Sequence, residues 1–281
     1  TLITLDDTFR LPVWLTFFSG CGAILVTLSM RELPREESSK HVTLLDPFKQ
    51  TFKTGRWILT NPTVLIVIAA GVLFDQPIRQ LLVVSSQLYA RIDIPVLYFG
   101  VISAGTAVIG LLAASPMRRL ATSQSPEANF RLIFTTVIIG LFGTALLIPW
   151  WGVVFFMLLS LSMRLLMFLQ SHYLNQLVDS KHRATVLSFR GLAVNVSYGI
   201  MSIAFALTVT AVEQADPTTT QEAAFDWVVR LLPWYFLFTT LIFIAWAIRK
   251  ARSDPRLSTP DGFAKSTDSS TDTRKPSPPL A

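Results

Sequence analysis

Charged residues are scarce in this chain: Asp, Glu, Lys and Arg make up 15% of its 281 residues. A soluble globular domain carries about 25% of these residues. The shortage is concentrated in blocks, while hydrophobic residues make up 51% of the sequence and the mean hydropathy is +0.50. This composition excludes an ordinary soluble domain and predicts an integral membrane protein.

Cysteine and histidine are also rare. The single cysteine, Cys21, excludes an intrachain disulfide, and the three histidines form no metal-binding pattern. The sequence has no Gly-rich phosphate-binding loop and no Gly-x-Ser-x-Gly motif. We therefore expect no metal, no cofactor and no enzymatic activity. The net charge of +6 does not indicate nucleic-acid binding, because the basic residues lie in short loops between apolar blocks.

Seven apolar blocks are long enough to cross a bilayer, which takes about 20 mostly apolar residues. They cover residues 12–30, 62–90, 95–115, 131–149, 151–175, 184–212 and 227–248. The alternating ten-residue segments of membrane barrels are absent. The sequence therefore predicts an all-α membrane protein with seven transmembrane helices.

The distribution of Lys and Arg predicts the orientation of these helices. Loops 31–61 and 116–131, the turn after the fifth block and the start of the tail are basic, whereas segment 213–226 is acidic. Basic loops mark the cytoplasmic side. We expect the N-terminus outside and the C-terminus in the cytoplasm, in a plasma or bacterial inner membrane. The chain begins with Thr1, which indicates a fragment or a processed chain.

Two segments outside the apolar blocks have patterns of their own. In loop 31–61, Leu45, Phe48 and Phe52 share one helical face beside basic residues. This pattern predicts a helix on the cytoplasmic membrane surface, and the alternative is a solvated linker helix. Residues 251–281 are polar and rich in Pro, Ser and Thr, which predicts a disordered cytoplasmic tail.

The stretch 164–199 consists of two apolar helices joined by a polar turn. After the turn, mostly small residues recur at spacings of four, three, four and four, so they share one helical face. They are Ala184, Ser188, Gly191, Asn195 and Gly199. A smooth face on a membrane helix lets another backbone come close. The pattern therefore predicts a helical partner for this stripe.

The polar turn resembles the loop between helices 10 and 11 of the major facilitator superfamily. Members of this family often have an Asn before the turn, followed by Arg-Ala-Thr and Ser. The corresponding residues are Asn175, Arg183, Ala184, Thr185 and Ser188. The first apolar block then resembles helix 6, and the remaining six resemble helices 7–12. The resemblance covers residues 11–250.

This resemblance implies the carboxyl-terminal half of a transporter. Residues 1–30 correspond to the last helix of the amino-terminal half, 31–61 to the central loop and 62–250 to the six-helix carboxyl-terminal bundle. Helices 1–5 are missing, and we expect them to be partners of this chain together with the lipid bilayer and a small solute. They are expected to cover the small stripe and a second small face that includes Gly100 and Ala104. The alternative is that both faces pack within this half.

Residues at the cytoplasmic ends of the helices are implied to form a gate. They are Asn175, Asp179, Arg183, Arg118 and Arg119. Asp179 and Arg183, four residues apart across the turn, are expected to form an ion pair. The family's usual loop motif is altered, since Ala113 and Met117 replace its Gly and Asp.

Ionisable residues inside apolar blocks are costly and indicate function. Asp75 and Arg79 are four residues apart in the second block and share a helical face. Arg164 lies in the fifth block, and counting residues from the block ends places it about 10 Å from the depth of Asp75. The candidate substrate and proton pathway comprises Asp75, Gln76, Arg79, Arg164, Gln170 and His172.

Three interpretations of these charges remain open. Asp75 is a proton-coupling carboxylate, or Arg164 anchors an anionic or polar solute, or Asp75 and Arg79 form a structural pair within one helix. For the intact protein the resemblance implies transport of a small solute by alternating access, coupled to protons. The alternative function is that of a truncated half-transporter which does not transport and acts as a membrane sensor or scaffold.

Overall fold

The computed structural model of the protein describes residues 5–29, 55–216 and 218–252. Within these ranges the secondary structure is helical and there is no strand, so the all-α class is confirmed there. The helices are α1 (Leu5–Ser29), α2 (Pro62–Val83), α3 (Ser85–Arg91), α4 (Leu97–Leu112), α5 (Ala114–Ser123), α6 (Pro126–Ala145), α7 (Gly152–Leu177), α8 (Ser180–Ala215) and α9 (Gln221–Arg252). A helical segment at 55–60 precedes α2. The predicted surface helix around Phe48 and the tail from residue 253 lie outside the described residues.

Five helices are long and apolar enough to cross a membrane: α2, α6, α7, α8 and α9. Helices α4 and α5, bent by 42° where they meet, make a sixth span if they are counted together. Pro116 explains the bend, because its ring excludes the carbonyl of Leu112 and it has no amide hydrogen to donate. The apolar part of α1, Val13–Ser29, is shorter. The described residues thus support an integral membrane protein with five or six spans, while seven were predicted.

The chain divides into two compact units, Thr1–Asp46 and Pro47–Ala281. In the first unit, α1 carries three exposed aromatic side chains that contact one another, Trp14, Phe17 and Phe18. In the second unit, α2 is the central helix and packs against α7, α8 and α9. Helix α6 packs against both α7 and α9. The second unit contains all the candidate site residues.

Consecutive spans of the second unit run in opposite directions. The start of α2, the end of α7 and the start of α8 meet in one apolar cluster, which contains Ile58, Val64, Ile68, Leu174, Val178 and Val186. We call this end of the bundle the turn end, because it carries the turn between α7 and α8 at Val178 and Asp179. At the opposite end the amide of Trp150 donates to the carbonyl of Ile92 at 2.9 Å. That bond joins the loops that precede α7 and α4.

Two glycines let α6 and α7 approach each other closely. A Cβ atom at Gly140 would overlap the fully buried side chain of Leu159, and one at Gly143 would overlap the ring of Phe155. A hydrogen bond from Ser162 also crosses this interface, to Thr136 at 2.9 Å. These contacts fix the antiparallel register of α6 and α7.

A cluster of charged side chains joins α3 to α9 at the opposite end. Arg91 donates from Nε and Nη2 to the two carboxylate oxygens of Asp226, at 2.8 and 2.6 Å, and from Nη1 to Glu222 at 2.7 Å. The hydrogen bond to Asp226 raises the pKa of Arg91, although partial burial acts the other way. The guanidinium therefore stays charged throughout the physiological pH range.

Replacing Arg91 with Gln is expected to lower the free energy of unfolding by about 1.5 kcal/mol, the low end for hydrogen bonds to charged groups. Asp226→Asn should have a similar effect, because its side chain is only 15% exposed. Glu222 is 73% exposed, so Glu222→Gln should cost less and lose its effect in ~1 M salt, where screening is strong. Thermal unfolding in detergent micelles at low and high salt measures these differences. Equal losses for the three variants would contradict this prediction.

Candidate functional site

A buried ion pair lies on α2. Nη2 of Arg79 is 2.6 Å from Oδ1 of Asp75, and the two side chains are 22% and 4% exposed. Their spacing of four residues places them on the same face of the helix. Pro77 lies between them and has no amide hydrogen, so it makes no helical bond to the carbonyl of Leu73. The pair expected from the spacing is therefore formed, in an interrupted part of α2.

Arg79 links this pair to α8. Its Nη1 donates to Oδ1 of Asn195 at 3.0 Å, and its Cζ lies 5.5 Å from the centre of the Tyr198 ring. A guanidinium held over an aromatic ring gains from the cation–π interaction. The second carboxylate oxygen of Asp75, Oδ2, is buried and has no hydrogen-bond partner in the described part of the chain. This oxygen retains the capacity to accept a proton or a hydrogen bond.

Two further polar contacts tie α2 to its neighbours. The hydroxyl of Tyr235 on α9 donates to Oε1 of Gln76 at 2.7 Å. The hydroxyl of Ser202 on α8 donates to Oε1 of Gln80 at 2.9 Å. Helix α2 is thus held by polar bonds on both sides around Asp75 and Arg79.

A second polar cluster lies one helical turn nearer the turn end. Nε2 of Gln170 donates to the carbonyl of Val67 at 3.2 Å, and its Oε1 accepts from Nε of Arg190 at 2.6 Å. Nη1 of Arg190 also donates to Ser171 at 3.1 Å. A Cβ atom at Gly71 would overlap the amide of Gln170, so this contact depends on glycine.

Arg164 lies at nearly the level of Asp75 but contacts a different helix. Gly71 and Gln170 face each other on antiparallel helices. Counting 1.5 Å per residue from that level, Asp75 lies about 6 Å and Arg164 about 9 Å toward the opposite end. Their depths thus differ by about 3 Å. The prediction of about 10 Å was wrong, because it assumed that the two apolar blocks end at matching levels.

The side chain of Arg164 is exposed and lies against Gly110 of α4. Within the described residues it forms no ion pair with Asp75 or any other carboxylate. His172 is half-buried, its ring stacks on Phe168, and its Nε2 is 3.1 Å from Nε2 of Gln176. The structure therefore places Arg164 and His172 outside the hydrogen-bonded network of Asp75.

The turn between α7 and α8 holds Arg183 in a different way from that predicted. Its guanidinium donates to the carbonyl of Asn175 at 3.0 Å, and no ion pair joins it to Asp179 in the described structure. The last carbonyls of a helix lack helical partners and carry partial negative charge, so they compete for the arginine. Arg118 and Arg119 are exposed on α5 and also have no ion-pair partner among the described residues.

The small faces of α4 and α8 are not covered by the described residues, apart from the hydrogen bond that Asn195 accepts from Arg79. Added Cβ atoms at Gly100, Gly191 and Gly199 would meet no atom within 4 Å. The non-glycine members of these faces are exposed; they are Ala104, Ala184, Ser188 and Asn195. Packing of the glycines within this half, the alternative considered from the sequence, does not occur in the described bundle.

Sequence reasoning identified Asp75, Arg79 and Gln170 but not their partners Arg190 and Tyr198. Arg190 lies in the first turns of the sixth apolar block and was not among the candidate pathway residues. A signal was available, because Arg190 and Tyr198 are eight residues apart, about 80° around a helix, and so lie on one broad face of it. That face also carries Val194, which is buried, and so points into the bundle.

No group of three His, Cys, Asp or Glu side chains within the described ranges is arranged to bind a metal ion. In comparisons with known proteins, no family model, no curated protein and no solved structure matches this chain. The apolar helices and the buried charged network are therefore the observations on which a function must rest.

Proposed function

We propose that this chain is part of a membrane transporter, similar to the carboxyl-terminal half of a major facilitator protein. Asp75 and Arg79 belong to its solute and proton pathway. The observation that carries this proposal is a carboxylate, 4% exposed within a membrane-type helix, that is bonded to an arginine reaching a second helix. Charged residues inside membrane spans are costly and usually mark ion or substrate pathways.

The proposed coupling uses two protonation states of Asp75. While the carboxylate is charged, it attracts Arg79 and holds the guanidinium against α2. When it is protonated, this attraction weakens, and Arg79 becomes available to an anionic group of the solute. Because Oδ2 of Asp75 is enclosed in this structure, a proton reaches it only when the helices packed against α2 move. Alternating access provides such a movement.

The positions of the arginines favour a solute with a carboxylate or a phosphate group. Arg164 lies within about 3 Å of the level of Asp75 and is exposed and unpaired among the described residues. Guanidinium groups bind such anions through two parallel hydrogen bonds. The uncovered small faces of α4 and α8 also support the proposal, since helices 1–5 of such a transporter would close the pathway there.

Replacing Asp75 with Asn is expected to abolish uptake driven by a pH gradient. The substitution keeps the size of the side chain but removes the group that binds the proton. The complete protein is reconstituted in liposomes, and uptake of small carboxylates and phosphates is followed together with the internal pH. Exchange of solute between loaded vesicles and the medium should persist, because it requires no net proton movement.

The matched control is Asp93→Asn, because Asp93 is an exposed carboxylate in the loop before α4. This control should transport normally. Unchanged pH-driven uptake in the Asp75→Asn protein would refute the proton-coupling role of Asp75.

A further inference from the structure

A partly open apolar cavity lies between α2, α6, α7 and α9, toward the turn end. Its volume is about 350 Å³, within the range of about 300–1,000 Å³ typical of small-molecule sites. Aliphatic and aromatic side chains form most of its wall, among them Phe74, Phe130, Leu166, Leu169 and Phe243. Asp75 and Arg79 do not line it, although Gln170, another residue of the candidate pathway, does.

One corner of the cavity offers an unused hydrogen-bond donor. Nδ2 of Asn129 donates to the carbonyl of Leu120 at 3.3 Å and to the hydroxyl oxygen of Tyr173 at 2.8 Å. A carbonyl only accepts, so the amide must turn its nitrogen toward Leu120, and Tyr173 therefore accepts from it. The hydroxyl hydrogen of Tyr173 has no acceptor in the described part of the chain. The oxygen of Asn129 is enclosed by protein, so a ligand would meet Tyr173.

The other polar groups at the cavity add no net charge. The amide nitrogen and oxygen of Gln170 are already hydrogen-bonded, to Val67 and to Arg190 respectively. Glu127 and Arg131 both line the cavity and carry opposite charges. The cavity therefore fits a molecule with a long apolar body that ends in a neutral hydrogen-bond acceptor.

The depth of Tyr173 fits the ester carbonyl of a membrane lipid. Tyr173 lies four residues before the end of α7, or about 6 Å along the helix axis. Helix α7 has 26 residues and is about 39 Å long, which exceeds a hydrocarbon core of about 30 Å. Tyr173 thus lies near the border between hydrocarbon and headgroups, where lipid ester groups are found.

We propose that this cavity binds one acyl chain of a membrane lipid, whose ester carbonyl accepts a hydrogen bond from the hydroxyl of Tyr173. Gly71 and Gln170 also line the cavity. A bound chain therefore packs against the contact between α2 and α7 that positions Arg190. This site does not depend on the proposed transport activity.

The test uses the complete protein in nanodiscs that contain a phosphatidylcholine with a photoreactive diazirine on one acyl chain. Labelled peptides are identified by mass spectrometry, and labels are expected on α2, α6, α7 and α9. Ala70→Phe fills the cavity from α2 and should reduce this labelling about tenfold, equivalent to 1.4 kcal/mol of binding. Thr135→Phe adds the same ring to the exposed face of α6 and should leave the labelling unchanged.

A second pair of variants tests the hydrogen bond without filling the cavity. Tyr173→Phe removes only the hydroxyl group and should reduce the labelling about threefold to tenfold, the usual range for one hydrogen bond. Tyr98→Phe, at an exposed tyrosine near the start of α4, is its matched control and should have no effect. Melting temperatures of the four variants show whether each protein is folded.

Labelling spread evenly over the exposed helix faces, and insensitive to both Ala70→Phe and Tyr173→Phe, would overturn the proposal. A separate arm presents a free fatty acid that carries the same diazirine. Labelling of the cavity by the phospholipid supports a membrane lipid as the source of the chain. Labelling by the fatty acid alone would overturn that assignment.

Discussion

Replacing Arg79 with Leu is expected to lower the free energy of unfolding by about 3–5 kcal/mol, the usual loss when one partner of a buried ion pair is removed. The reason is the burial of Asp75, whose side chain is only 4% exposed. One of its carboxylate oxygens already lacks a partner among the described residues, and Arg79 is the only side chain bonded to the other in that part of the chain. Without Arg79 the carboxylate remains buried and unpaired.

The reverse substitution, Asp75→Leu, is expected to cost less, roughly 1–3 kcal/mol. Arg79 is 22% exposed and keeps its contacts with Asn195 and Tyr198. The double variant should be more stable than Arg79→Leu alone, because replacing a whole buried pair by apolar residues is often nearly neutral. We therefore expect Arg79→Leu to cost more stability than Asp75→Leu, and the double variant to lose less than the sum of the two single losses.

Reversible unfolding of the four forms in mixed micelles measures both quantities in a double-mutant cycle. Arg119→Leu is the matched control, since Arg119 is exposed on α5 and should tolerate the change. Equal losses from Arg79→Leu and Asp75→Leu would contradict the asymmetry. A double variant as unstable as the sum of the single variants would show that the two side chains are not coupled.

The helices and the Asp75–Arg79 pair could be predicted from sequence because both depend on spacing within one segment. Helix α7 spans Gly152–Leu177, close to the predicted 151–175. The interruptions were missed. The apolar block continues to residue 90, whereas α2 ends at Val83. Hydropathy also gives no sign of the bend after Leu112.

The partners of the pair could not be predicted in the same way, because they depend on how the helices pack. Asn195 is 116 residues from Arg79 in sequence, and no local pattern relates the two positions. The level of Arg164 depends on the register between α2 and α7, which is set by the close contact of Gly71 with Gln170. Counting from the ends of apolar blocks cannot supply that register.

Gly71→Ala is expected to destabilise the protein by about 3 kcal/mol, because the new methyl group occupies the place of the Gln170 amide. The side chain of Gln170 can swing away, but it then loses its bonds to Val67 and Arg190. Each buried polar group left without a partner costs about 1–3 kcal/mol, and more when it is charged. Thermal and denaturant unfolding in micelles measure the loss.

Two other glycines provide matched controls for this substitution. Gly100→Ala places a methyl group where no atom lies within 4 Å, and it should raise helix stability by up to about 1 kcal/mol. Gly110→Ala meets the side chain of Arg164, which is exposed and free to move, so its effect should be small. A loss at Gly71 no larger than that at Gly110 would contradict this account.

Adding Gln170→Ala to the Gly71→Ala protein tests the cause of the loss. If the methyl group acts by displacing the amide, the second substitution should produce little further destabilisation, since the bonds to Val67 and Arg190 are already broken. Two independent losses would instead add. Non-additivity would therefore locate the role of Gly71 in the contact that fixes α2 against α7 and binds Arg190.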